Sequence, residues 1–514
     1  MPVIRDRLIK GDAKYAIDYI TEAHEAYKYY INRFTFLGDS YNGGYDYFMG
    51  RYMEPYYYES RQEYEKRLRM VPYDNHVKSI VGIYNSFLFR KQPKRDLGSL
   101  ESDPTVTNFM KDADLDGRSF KSFMHDVSIN AMVYGTTWII CDKPNTQVNT
   151  RADELDQDIR PYVSMFTPDN VLDWTYSRQP NGHYQLTYLK VKEEIVEDAQ
   201  FVREYTPTEI NVYKLYGKDR KGEYVESIPN ELGRIPAICV YAQRSNVRGI
   251  GISTVGDIAD MSKAIYEEFC EVQEIIRLTN HPSLVKTASV EAAAGAGAII
   301  QMPENMDPQL KPFLLQPNGS SIDSVLKSID KKVEAIDRMA CLGGIRSVES
   351  RRMSGVGLQT EFQMLNAKLA DFAGNLELAE EQLWRFYAMY QGTAFDGEIE
   401  YPRSFSIQDK ANDIVMLKMA KESTPNDPMI EKKLDKMILE TVTEQTYEQV
   451  KQDMDELNQN NEMVHPTLND QTKGPHMREM IMQGYTDAQI LQLHPELTQQ
   501  DIQDTKQALL QEGQ

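Results

Sequence analysis

The chain has 514 residues and a mass of 59.2 kDa, with 41% hydrophobic and 26% charged residues, which suits several packed units of roughly 100 to 150 residues and not a disordered polymer. A formal net charge of -21 argues against a protein that grips nucleic acid over a broad surface, because phosphate neutralisation by Lys and Arg supplies most non-specific affinity. No window approaches the roughly 20 consecutive apolar residues of a membrane helix, and the opening MPVIRDRLIKGDAKY lacks an apolar stretch after its basic residues, so neither membrane insertion nor secretion is expected.

Helical spacing of Tyr15, Ile17, Ile20, His24, Tyr27, Tyr30 and Ile31 predicts one helix over about 13–36, ended by the glycine-broken SYNGGYDYFMG. Residues 61–90 read as two helices interrupted at Pro72, the second carrying Val77, Ile80, Val81, Tyr84, Phe87 and Leu88 on one face before the basic turn RKQPKR. A helix over 119–133 and, after Gly135, a strand over 136–141 follow. Between 160 and 243, β-type runs at 162–166, 184–191, 209–216 and 237–241 are separated by turn clusters, which gives a small mixed domain.

The rhythm then changes. Val255, Ile258, Met261, Ile265, Phe269, Val272 and Ile275 recur at steps of three or four, predicting one long helix over 253–280 that Thr254 and Asp257 cap and Pro282 stops. Residues 283–318 break the pattern with AAAGAGA, two short apolar pieces and four prolines, a small strand-bearing insert. Ile322, Val325, Ile329, Val333 and Ile336 then restore helical spacing until Gly343-Gly344. A basic loop, GGIRSVESRRMSGVG, leads to a third helix over about 358–391, where Gly374 permits a bend. After the β-like return EIEYPRSFSI, residues 409–514 read as short amphipathic helices broken at Pro425, Pro466 and Pro475.

Catalytic and cofactor chemistry finds little foothold. Asp112, Asp114, Asp116 and Gly117 match the opening of a calcium loop, but Phe123 stands at the twelfth position where a bidentate Glu is needed, leaving an acidic helix-entry turn. The eight histidines form no HExxH, and Cys141, Cys239, Cys270 and Cys341 lie far apart among apolar neighbours as buried reduced thiols. No phosphate loop or nucleophile elbow occurs, and Gly249 and Gly251 shape a turn without the full dinucleotide spacing. No cofactor, no metal and no enzymatic activity are expected. Arg346, Arg351 and Arg352 on the glycine-flanked loop suit contacts to backbone phosphates, or equally a solvated loop with ion pairs between subunits. Glu267, Glu268, Glu271 and Glu274 place negative charge on the polar side of the first long helix.

In order, YNGGYDYFMGRYMEP, YDNHVKSIVGIYNSFLFRKQP, NELGRIPAICVYAQ leading to GIGISTVGDIADMSKAIYEEFCEVQEIIRLTNHPSLV, and MSGVGLQTEFQMLNAKLA resemble the local patterns of the tailed-bacteriophage portal family. The resemblance spans about residues 35–405. It implies an α+β, mainly helical fold in which 1–252 form the wing, 253–280 and 321–342 two stem helices, 281–320 a small β clip, 343–357 a tunnel loop, 358–408 a long kinked helix with a wing return, and 409–514 a helical crown and tail. Stem packing would rest on Ile258, Ile265, Phe269, Val272, Val325, Ile329 and Val333, with Glu267, Glu268, Glu271 and Glu274 toward the channel or the stem's polar face and Arg346, Arg351 and Arg352 in the tunnel loop.

The same resemblance implies a closed ring of about twelve copies at one capsid vertex of a virion, assembled in the host cytoplasm. Its partners would be terminase, head-tail adaptor and tail proteins, major capsid and scaffold proteins, and non-specific double-stranded DNA in the channel. Another virion or scaffold-like assembly protein and an enzyme of unfamiliar signature are the competing readings.

Overall fold

The computed structural model describes residues 13–144, 151–216, 221–280, 283–285, 307, 313–315, 320–343 and 355–405, together with scattered positions beyond 406. The chain divides into two units, Met1–Ser406 and Ile407–Gln514.

Helices α1 (Ala13–Ile20), α2 (Glu25–Asn42), α3 (Tyr45–Phe48), α4 (Arg61–Met70) and α5 (His76–Leu88) open the first unit. The single helix expected over 13–36 is therefore two. It breaks because His24 turns its backbone into the sheet, its N–H donating to Leu172 O at 2.9 Å. Its imidazole caps α2 through Ala26 N at 3.0 Å and stacks on Trp174 at 4.4 Å. A histidine cap stabilised by a distant indole leaves no local signal, since Ser, Thr, Asp and Asn dominate that position.

Strand β1 (Lys94–Asp96), helices α6 (Pro104–Lys111) and α7 (Phe120–Tyr134), and strand β2 (Thr136–Asp142) come next. Residues 136–141 of β2 are all buried. Ile139 and Cys141 face the helical core while Trp138 and Ile140 face the second core, so the strand reads as an unbroken apolar run and not as an alternation. After the one-turn helix α8 (Arg151–Asp156), strand β3 (Tyr162–Phe166) lies on one side of β2 and β9 (Ala237–Tyr241) on the other. The turn between α7 and β2 requires glycine at two places: Gly135 has φ +86°, and a Cβ on Gly251 would lie 1.9 Å from the Gly135 carbonyl oxygen.

Strands β4 (Val171–Arg178), β5 (Tyr184–Val196), β6 (Ala199–Tyr205), β7 (Glu209–Tyr216) and β8 (Lys221–Pro229) form one antiparallel meander. Three of these, β4, β6 and β8, are absent from the sequence reading. Charges interrupt each of them, and in β5 and β6 the charges are buried. Lys190 donates to the carbonyls of Tyr19 at 2.8 Å and Glu22 at 3.4 Å, closing the end of α1. Cross-strand from it, Glu204 accepts from Tyr19 and Tyr213 hydroxyls at 2.5 and 2.8 Å. Burial pushes the Lys190 ammonium below its ordinary pKa, against the pull of Glu204.

Helix α9 (Gly256–Asn280), strands β10 (Ser283–Val285) and β11 (Phe313–Leu315), helix α10 (Ser320–Met339), helix α11 (Gly355–Tyr390) and strand β12 (Glu398–Glu400) complete the unit. Helix α11 is continuous over 36 residues. At Gly374 the missing side chain admits the guanidinium of Arg403, which donates to Ala370 O at 2.8 Å and pairs with Glu377 at 2.7 Å. Strand β12 returns to pair antiparallel with β1, Ile399 opposite Arg95. In the second unit, described positions at 418–419, 434–438 and 487 are helical, Ile490 and Ile502 are buried, and Lys506 pairs with Asp487 at 2.5 Å.

A fully buried carboxylate locks three of these elements. Glu380 on α11 takes Arg95 of β1 in a two-pronged pair at 2.6 and 3.1 Å, the Trp384 indole at 3.2 Å and the Tyr401 hydroxyl at 2.6 Å. All its acceptor sites are used, which offsets the desolvation of the charge. Replacing Glu380 by Ala strands the Arg95 cation and should destabilise the unit by about 3 to 5 kcal/mol. The shift of the chemical-denaturation midpoint measures it, and an unmoved midpoint would contradict the clamp.

Candidate functional site: the paired long helices

The repeat of apolar residues every three or four positions makes α9 and α10 amphipathic. The antiparallel pair buries Ile258, Ile265, Val272 and Ile329 in the main core, with Phe269, Val325 and Val333 half-buried against it. All seven packing residues singled out in the sequence thus lie in one core, which Ile336 of α10 extends.

One polar rung crosses the pair. Glu268 Oε1 accepts from Lys332 Nζ at 2.5 Å and from Ser328 Oγ at 2.8 Å, two donors one helical turn apart on α10. The other three glutamates have different surroundings. Glu267 is exposed and pairs only loosely with Lys263, at 3.6 Å. Glu271 accepts from the Tyr56 hydroxyl, and Glu274 pairs with Arg277 at 2.5 Å. Arg277 reaches on to Glu63 of α4 at 3.0 Å.

The flank of α9 away from α10 is held by groups that the sequence reading did not single out. Arg67, buried on α4, makes two bonds to Glu59 at 2.8 and 2.6 Å and one to Cys270 Sγ at 3.2 Å, with the Tyr56 ring 4.0 Å from its guanidinium. Tyr266 donates to Tyr47 O at 3.1 Å inside a cluster with Tyr52 and Tyr73, and burial pushes its phenol up to about 12. Tyr47, Tyr84, Tyr205, Tyr213, Tyr266, Tyr387 and Tyr401 are likewise buried within this chain. The pairing of Arg67 with Glu59, just ahead of the N-cap of α4, carried no periodic signal; the only hint is the density of aromatics around two opposite charges.

At the far end of the pair, β10 and β11 run antiparallel, Ser283 opposite Leu315 and Val285 opposite Phe313. At the near end, the Tyr84 hydroxyl donates to Ala340 O at 2.7 Å, and Ala340 and Leu342 are buried. Lys368 of α11 lies 3.4 Å from the same hydroxyl, and burial pushes its ammonium pKa down. Arg346, Arg351 and Arg352 lie outside the described residues.

The acidic run before α7 is a helix-entry turn. Asp112 accepts from Gly117 N at 2.9 Å, and Asp114 from Asp116 N at 3.1 Å and from Arg118 Nε at 2.5 Å. Among the described residues no group of His, Cys, Asp and Glu is arranged to hold a metal ion. The four cysteines are unbridged, and burial pushes Cys239 up to about 12, the opposite of an activated thiol. No described helix is long and apolar enough to cross a membrane.

No family model matches this chain. No curated protein matches it either. Among solved structures, it is similar to a chain from the neck of an empty gene transfer agent particle computed with C6 symmetry, at 9% identity and a TM-score of 0.39, over 68% of this chain and 86% of that one. A chain from the neck of the native particle computed with C12 symmetry has 8% identity and a TM-score of 0.39, over 67% and 85% of the two chains. One from the virion of the native particle has 9% identity and the same TM-score, over 70% and 88%.

Ile265→Asp buries an unpaired charge where α9 meets the core, a cost of several kcal/mol. It should abolish cooperative unfolding, whereas Glu267→Gln on the exposed side should leave the melting temperature within about 2 °C. A melting curve for Ile265→Asp like that of the parent would refute the facing of α9.

Proposed function

We propose that this chain is the portal subunit of a tailed phage or phage-like particle, a structural conduit for DNA and not an enzyme. One observation carries this reading. A long antiparallel helix pair bears a two-stranded insert at its far end, and a 36-residue helix then returns the chain to the N-terminal domain through β12 and β1. This order of described elements supports the succession of stem, clip, stem, long helix and wing return that the sequence resemblance implies; residues 344–354 of the implied tunnel loop lie outside the described residues.

Physical chemistry supports the same role. Closed rings of identical copies use one heterologous interface repeatedly, and paired amphipathic helices suit that geometry. A chain of net charge -21 repels phosphate, so DNA in its channel slides instead of adhering. Three arginines on the loop after α10 would meet passing phosphates without reading bases. The buried ionisable groups Glu380, Glu204, Lys190 and Arg67 are consumed by internal bonds that hold elements together. In this proposal the ring, of about twelve copies, sits at one capsid vertex. It binds capsid and scaffold proteins during assembly in the host cytoplasm, then terminase during packaging, then adaptor and tail proteins.

Negative-stain microscopy with mass determination on the purified protein is expected to reveal rings of about twelve copies around a central hole. A compact dimer would overturn the proposal. Joint replacement of Arg346, Arg351 and Arg352 by Ala should leave rings intact while lowering packaging efficiency or genome retention, measured as DNA content per particle. Unchanged DNA content would remove the loop from the mechanism.

A further inference from the structure

The negative charge of this chain is unevenly spread. Residues 174–192, most of the hairpin of β4 and β5, contain no Asp or Glu, and neither do residues 232–256, which run from the approach to β9 to the first residue of α9, although the chain carries 78 of them. The fold brings these two segments together. Trp174 donates its indole N–H to Arg248 O at 2.7 Å, and the Arg248 guanidinium lies on the ring of Tyr184, 3.6 Å from its centroid. Tyr184 is the cross-strand partner of Arg178, which puts their side chains on one face of the hairpin. Arg244 lies over the ring of Tyr241, 5.4 Å from its centroid, and the Tyr241 hydroxyl accepts from Gly249 N at 2.9 Å. Burial raises the Tyr176 phenol far above its ordinary pKa and the charge of Arg244 pulls it down, so Arg244 also stands beside Tyr176, two residues from Arg178 on the same strand.

Arg178, Arg244 and Arg248 are exposed, and none has an ion-pair or side-chain hydrogen-bond partner among the described residues. Their supports are nonetheless fixed in advance. Ser245 Oγ donates to Ile250 O at 2.7 Å and accepts from Val247 N at 3.1 Å, closing the loop that carries Arg244 and Arg248. Gln179 N donates to His183 O and Gly182 N to Gln179 O, both at 2.8 Å, closing the hairpin turn beside Arg178. A guanidinium stacked on a ring keeps its N–H edge free, and that edge matches an oxyanion through two parallel bonds.

We propose that the end of the β4–β5 hairpin and the loop 244–249 form a binding surface for the phosphodiester backbone of a nucleic-acid duplex, with Arg178, Arg244 and Arg248 each meeting a phosphate. Three unpaired arginines gathered in a chain with an excess of carboxylates mark an anion site. Their exposed neighbours Asn181, Gln243 and Asn246 are uncharged hydrogen-bonding groups of the kind that contact phosphate and sugar. Guanidinium groups already cover one face of the Tyr184 and Tyr241 rings, so the surface suits a duplex, which presents backbone, better than a single strand, whose bases seek rings to stack on. At physiological salt, charges farther apart than about 8 Å are largely screened, so the overall charge of -21 does not cancel a local cluster. Three contacts give a weak, salt-sensitive hold and not a broad grip. This surface is separate from the loop arginines of the proposed function, and binding to it does not require a ring.

Fluorescence anisotropy of a short labelled DNA duplex of mixed sequence, titrated with the full-length chain over a series of salt concentrations, tests the surface. Arg178→Gln, Arg244→Gln and Arg248→Gln together should lower affinity at low salt by at least about tenfold and make the slope of log K against log salt shallower by about 2 to 3, since each phosphate contact contributes about 0.9. Lys at the same three positions keeps the charges and should restore most of the slope. Arg69→Gln, Lys78→Gln and Lys121→Gln together remove equal charge from exposed positions on α4, α5 and α7 and should change affinity by less than about twofold. Circular dichroism melting checks that all variants fold alike. A wild-type chain that does not bind the duplex at low salt overturns the surface, as does unchanged affinity in the first Gln variant or an equal loss in both, which would report net charge alone. Polyglutamate that binds more tightly than the duplex, through the same three arginines, would make the ligand an acidic protein and overturn nucleic acid. None of these results bears on the ring, which microscopy decides.

Discussion

Helix α9 is the constraint on which the rest of the first unit depends. It is apolar over more than half its circumference, so it must be covered on two sides at once: by α10 through Ile258, Ile265 and Val272, and by the N-terminal helices through Tyr266 and Cys270. A helix with so wide an apolar face is not stable alone in water. Only one edge remains for solvent or a partner, and that edge is occupied by carboxylates. The position of the N-terminal helices, the pairing with α10 and the exposed charge pattern all follow from the way this one surface is divided.

Around that helix the fold relies on buried charges with complete sets of partners. Glu380 with Arg95, Glu204 with its hydroxyl donors beside Lys190, and Arg67 with Glu59 each link elements remote in sequence. Such groups add little net stability over an apolar substitute, because desolvation offsets most of the attraction. What they contribute is register. Helix α11 could slide by a turn along an apolar core with modest loss, but a one-turn slide would separate Glu380 from Arg95, Trp384 and Tyr401 together. The N-terminal helix α1 is held in the same way, with its terminal carbonyls on the Lys190 ammonium.

This division explains what could be read in the sequence. The long helices were legible because burial on one side imposes a periodic signal over many turns: α9 and α10 begin within three residues of the expected positions. Strands β3, β7 and β9 were legible from β-branched and aromatic runs between turn residues, and their bounds coincide with the expected ones. Strands β4, β6 and β8 were hidden because Asp173, Arg203, Glu204 and Glu226 disguise them as loops, and only the folded sheet supplies the groups that satisfy the buried ones. The break at His24 was hidden for the same reason, its stabilising contacts coming from residues near 172 and 174. At the helix pair the apolar stripe was visible but the destinations of the glutamates were not, since Glu268 meets α10 and Glu271 meets Tyr56 only in three dimensions.

The same architecture bears on how force would travel. Residues 344–354 connect two points that are held firmly: Ala340 and Leu342, packed under Tyr84, and α11, whose second half is buried and clamped at Glu380. At 1.5 Å per residue, α11 is about 54 Å long, and Glu380 in its second half ties it to Arg95 of β1. Lys368 of α11 lies against the Tyr84 ring. A displacement of α11 there would move Tyr84 and, through its bond to Ala340, the end of α10. Helix α11 and the end of α10 are therefore linked through one tyrosine, by the contact of Lys368 with Tyr84 and the bond from Tyr84 to Ala340.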